Sequence, residues 1–210
     1  MTSSPSEFDS ALALFLDEVN RASDLVALAD GFEASLPAVD LSDLYRAALV
    51  AGVSAFDAFV HRLVLAGLRM RLSSKGLGSP PGAIELPVAT VAGLIADEPG
   101  ALASATALIQ ERLRRKTFQR PDDVAKAVSA ICVGPLWISI ADGDSQEANR
   151  LKVSLDLVVD RRNKIVHEAD IDPTFGEKWP MDSVLVRDAL SVISLRGREV
   201  SKFVALHYDA

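Results

Sequence analysis

Residues 41–70 are long and apolar enough to span a bilayer, yet Asp43, Arg46, Asp57, His61, Arg62 and Arg69 are spread along them. Charges at that density are too costly in hydrocarbon, so the stretch predicts a long helix buried inside a soluble protein. Leu49, Val53, Phe56, Val60 and Leu63 recur at intervals of three and four and mark its core stripe. A helix over about Ser42–Ser73 is therefore the expected central element, with other helices covering it.

The same period governs the rest of the chain, and no segment shows the period-two alternation of a strand. A first helix is expected over about 6–31. Ser6 and Asp9 suit its cap, and Phe8, Leu12, Phe15, Val19, Ala22 and Val26 face inward. Residues 75–82 are rich in glycine and proline but lack a Gly-Lys-Ser/Thr continuation and a preceding strand, so they read as a connection and not a phosphate loop. Short helices are expected over about 88–95 and 101–116 and after Pro121, a residue suited to a first helical turn. A long helix capped by Asp144 and Glu147 should reach about Glu168, with a two-proline loop over 170–180. The last helix starts near Asp182 and carries Val184, Val186, Leu190, Ile193, Leu195, Val200 and Val204. The pattern predicts an all-α fold, one domain over 1–210, built as a bundle with long central helices and additional short ones.

At 210 residues and 49% hydrophobic content, the chain can bury one sizeable core and still leave apolar surface for a partner or a second copy. A net charge of −7 counts against non-specific nucleic-acid binding, so any RNA contact requires a local basic patch. Cys132 is the sole cysteine, which rules out an internal disulfide and a cysteine metal cluster and suits a reducing compartment. It reads as a small buried apolar residue. The first ten residues lack a basic start followed by an apolar run, so no signal peptide is expected; the expected location is cytoplasmic, without membrane attachment.

Two apolar stripes are interrupted by charge, and these interruptions mark the candidate site. In the helix ending near Glu168, Leu151, Leu155, Val158 and Ile165 form the inward stripe, and Arg162 falls on it. A guanidinium there needs an anion, either internal or supplied by a ligand. In the long helix, Asp57 and His61 lie one turn apart at the centre of a face formed by Val50, Ser54, Val64 and Leu68. The simplest arrangement pairs Asp57 with Arg162 across a helix contact and sets His61 and His167 in the same cleft.

The run Arg162-Asn163-Lys164-Ile165-Val166-His167 resembles the Arg-x4-His signature of the HEPN superfamily, helical domains that include many metal-independent ribonucleases. The stretch from Tyr45 to His61, and that from Phe118 to Ile131, resemble its bacterial RiboL-PSP branch, so the resemblance spans most of the chain. It implies a HEPN-type bundle, catalytic roles for Arg162 and His167, a positioning role for Asn163, no cofactor, and pairing of two chains across the motif helices. It also implies a toxin or defence effector, with an antitoxin or regulatory protein as partner.

The physical logic agrees with an endoribonuclease. A ribose 2′-hydroxyl can attack the adjacent phosphorus while a histidine moves protons and an arginine stabilises charge on the phosphorane oxygens. The products are a 2′,3′-cyclic phosphate and a 5′-hydroxyl. One chain offers one motif histidine, so a two-fold homodimer would supply both an acid and a base. His61 is the competing second proton carrier, or else a core histidine satisfied by neighbouring backbone. The alternative function is a non-catalytic HEPN module that binds a nucleotide, RNA or protein, with Arg162 and Asp57 as a structural pair. A metal-dependent hydrolase is disfavoured, since no His-x3-His or His-Glu-x2-His spacing and no carboxylate cluster occurs.

The densest basic run, residues 111–116, offers Arg112, Arg115 and Lys116 as RNA-contact candidates, with Arg120 nearby; a solvated helix face is the competing reading. Trp137 and Trp179 are expected as packing anchors, and His207 as solvent-exposed.

Overall fold

The computed structural model describes residues 6–33, 35, 38–73 and 85–208; the connection expected at 75–82 lies outside them. Eight helices are present among the described residues: α1 (Glu7–Glu33), α2 (Ser42–Ser73), α3 (Val88–Ile95), α4 (Ala101–Leu113), α5 (Pro121–Val128), α6 (Leu136–Ile140), α7 (Ser145–Glu168) and α8 (Ser183–His207). The fold is all-α. Its helix starts follow local chemistry. The Ser6 hydroxyl accepts from the Asp9 N–H, and the Asp9 carboxylate accepts from the Ser6 N–H, both at 3.1 Å, which is a reciprocal capping box. Asp144 accepts from the N–H groups of Gln146 and Glu147 and so caps α7, and Asp182 caps α8 through Leu185.

Around α2, α1 and α7 run antiparallel and α8 runs parallel. The Tyr45 hydroxyl donates to Asp30 at 2.7 Å at one end of the α1–α2 pair, and Arg69 meets Glu7 at the other. Arg187 meets Asp30 near the start of α8, and the Tyr208 hydroxyl donates to the Gly67 carbonyl at 2.8 Å beyond its end. The predicted α2 stripe is wholly buried, and Phe15 of α1 stacks on Phe59 with ring centroids 4.8 Å apart. The length and composition of α2 would allow it to cross a membrane, but its apolar side chains form the centre of this core.

Several details differ from the sequence expectation. Helix α4 stops at Leu113 and not near 116, and a fourth short helix, α6, follows α5. Val184 and Leu195 are exposed, because each is about 200° around α8 from a buried neighbour, Val186 or Ile193. His207 is half-buried, stacked on Phe203 with its Nδ1 2.9 Å from the Phe203 carbonyl. Trp137 is buried and donates to the Pro121 carbonyl, and Cys132 is buried in the core.

Candidate active site

Helix α7 carries Leu151, Leu155 and Val158 into the core, and Arg162 continues that face half-buried. Its guanidinium donates through one terminal nitrogen to the Asn163 side-chain oxygen at 3.0 Å, and its Nε is buried with no hydrogen-bond partner among the described residues. His167 is exposed in the last turn, one turn beyond the half-buried Asn163. On an α-helix Arg162 and His167 are about 140° apart, with Asn163 between them and about 40° from His167. The Arg162–Asn163 bond therefore draws the guanidinium from the core side of the helix towards the histidine flank.

Directly after this turn lies a buried charge cluster that sequence reasoning did not predict. Asp170 has no solvent exposure, and one of its carboxylate oxygens accepts from Arg46 Nε at 2.7 Å and from Arg161 at 2.9 Å. Arg46, itself buried, also donates to the Ser42 hydroxyl and to the Trp179 carbonyl at 2.7 Å. Arg161 reaches the Pro180 carbonyl at 3.0 Å. Burial holds the Arg161 pKa below the usual arginine value; Asp170 opposes that shift and Arg46 adds to it. The cluster binds the loop after α7 to the start of α2. A signal for it exists in the sequence: Arg46 lies three residues before Leu49 on the core stripe, the same anomaly that singles out Arg162.

Asp57 and Arg162 do not form the expected pair. The Asp57 carboxylate instead accepts from the Phe118 N–H at 2.5 Å and so pins the connection between α4 and α5. His61 has Nδ1 2.8 Å from the Asp57 carbonyl and Nε2 3.0 Å from the Leu113 carbonyl, with its ring against Phe118. Both ring nitrogens face backbone oxygens. His61 also lies fifteen residues along α2 from Arg46, about 22 Å by helical rise, whereas His167 is beside the Arg46 cluster. The two histidines therefore do not line one cleft.

The basic run is exposed and partly paired. Arg112 donates to the Glu85 carbonyl, Arg115 and Arg114 meet Glu111, and Lys116 borders a pocket of about 500 Å³ together with Arg115 and Lys126. Arg120 bonds Asp156 and Asp160, which places the start of α5 against the middle of α7. Trp179 is half-buried, with Lys164 Nζ 5.5 Å from its ring centroid. Among the described residues no group of three or more His, Cys, Asp or Glu side chains could hold a metal ion. No family model, curated protein or solved structure matches the chain.

Proposed function

We propose that the protein is an RNA-cleaving helical domain and, more particularly, a metal-independent endoribonuclease of the HEPN type. The observation that carries this reading is the polar edge on the last turns of α7. There Arg162, Asn163 and an exposed His167 follow one another around the helix, and the Arg162 Nε has no partner among the described residues. His167 would move protons between the ribose 2′-hydroxyl, the leaving 5′-oxygen and a second proton carrier. Arg162 would stabilise the charge that grows on the phosphorane oxygens, and Asn163 would hold Arg162 towards the substrate. The placement of His61 against the Asp57 and Leu113 carbonyls, well along α2 from the end of α7, favours a second copy of His167, from a homodimer partner, as the other proton carrier.

This reading makes the protein a cytoplasmic toxin or defence effector restrained by an antitoxin or regulatory protein. The test is incubation of the purified chain with end-labelled RNA in excess chelator, followed by analysis of the product ends. Fragments with 2′,3′-cyclic phosphate and 5′-hydroxyl ends are expected from the wild type and none from His167→Ala, with equal helical circular dichroism for both. Equal cleavage by the variant would remove His167 from the site. Tight RNA or nucleotide binding without any cleavage would establish the non-catalytic module in its place.

A further inference from the structure

His167 stands in the final turn of α7, a position where helices ordinarily fray because the last carbonyls lack intrahelical partners. Here the helix is stopped by two consecutive left-handed residues, Ala169 at φ 52° and Asp170 at φ 60°, neither of them glycine. Both donate their N–H groups to the Lys164 carbonyl. Backbone in this region is unfavourable for alanine and persists only where the surroundings hold it. Those surroundings are the bonds of Asp170: its carboxylate takes Arg46 and Arg161, and its carbonyl accepts from the Trp179 N–H at 2.8 Å. Arg161 immediately precedes Arg162, and Asp170 is three residues past His167, so the cluster brackets the motif on both sides.

We propose that Asp170 is a positioning residue for cleavage, which holds the last turn of α7 through Arg46 and Arg161 and thereby fixes His167 and Arg162 relative to each other. This rests on the ribonuclease reading above for its catalytic consequence but not for its structural one. With no solvent exposure, Asp170 is not placed to touch substrate. A displacement of about 1 Å at a reacting group costs on the order of a hundredfold in rate. Loss of the carboxylate charge should therefore lower kcat and leave KM nearly unchanged, because the RNA-binding surface is untouched.

The test uses full-length Asp170→Asn, with cleavage kinetics and amide hydrogen exchange measured on the same preparation. The expected result is a kcat lower by about 10- to 100-fold, a KM within about twofold, and faster exchange over residues 164–170 while α1 and the middle of α2 keep wild-type protection. Should Asp170→Asn fail to fold, Arg161→Gln, which leaves Arg46 on the carboxylate, carries the same readouts. An unchanged kcat with a loosened turn would overturn the proposal, as would exchange over 164–170 identical to wild type. If the wild type cleaves no RNA, the ribonuclease reading falls, and the exchange comparison still decides whether Asp170 holds the turn.

Discussion

Arg162 and His61 are both polar residues on helices that pack into the core, and their hydrogen bonds set them apart. Among the described residues the only side-chain bond of Arg162 goes to its neighbour Asn163, so its removal strands no buried charge there. Arg162→Ala is therefore expected to change stability by less than about 1 kcal/mol while lowering cleavage by about 10²- to 10³-fold, the usual loss for an oxyanion donor. His61→Ala should do the reverse. It removes a half-buried ring packed on Phe118 and one imidazole hydrogen bond to a backbone carbonyl, and should cost about 0.5–1.5 kcal/mol, with cleavage retained below the melting temperature. Thermal melts and initial rates on both variants check this, and a stable but inactive His61→Ala would restore His61 as a proton carrier. At this scale the sequence shows which polar residues interrupt an apolar stripe, but not what they bond. Arg46 and Asp170 are 124 residues apart, so no local pattern could join them. Asp57 pairs with a backbone N–H, a donor that every residue but proline offers and that no spacing reveals.

Helix packing makes its own demands, and glycine meets one of them where α8 crosses α1. A Cβ at Gly197 would stand impossibly close to Cε1 of the fully buried Phe15 ring. Gly197→Ala gains helix propensity but forces that ring to move, and a net loss of about 1–3 kcal/mol is expected on thermal unfolding. An unchanged or raised Tm would show that the helices can separate at little cost. The junction of α1, α2 and α8 is closed by Asp30, whose pKa is held below the usual carboxylate range by the Tyr45 hydroxyl and by Arg187. A lowered folded-state pKa contributes stability that is present above the unfolded value and is lost as pH falls through the folded one. Melts from pH 7 to pH 3 should therefore show a steeper acid-side loss for the wild type than for Asp30→Asn, and parallel curves would place the acid sensitivity elsewhere. The long helices were legible because their periodicity extends over many turns and their capping residues are specific. Five-residue α6 was not, since it completes little more than one turn and is anchored mainly by Leu136 and Trp137. Residues 114–116 prolong the α4 pattern in sequence, but the chain there makes looser three-residue bonds from Arg115 to Arg112 and from Lys116 to Leu113.

For the molecule as a whole, the proposed chemistry needs both an acid and a base, and each chain brings one motif histidine. The outward face of α7 bears on this, because Val153 and Leu157, 47% and 64% exposed, share it with Asp160, Lys164 and His167. Exposed aliphatic side chains beside His167, the proposed proton carrier, suit a surface that a second copy covers, with its own His167 brought across the two-fold axis. Mixing distinguishes this from a site complete within each chain. If wild-type and His167→Ala chains are combined in equal amounts and allowed to exchange, about one quarter of random dimers hold two histidines. Activity should then fall to about one quarter of that of the same total concentration of wild type. A site complete in each chain would retain about one half. A Leu157→Asp change on the outward face should weaken assembly and cleavage together, and sedimentation should show the shift towards monomer. Monomers that cleave at the wild-type rate would overturn the shared site and require a proton carrier within the same chain.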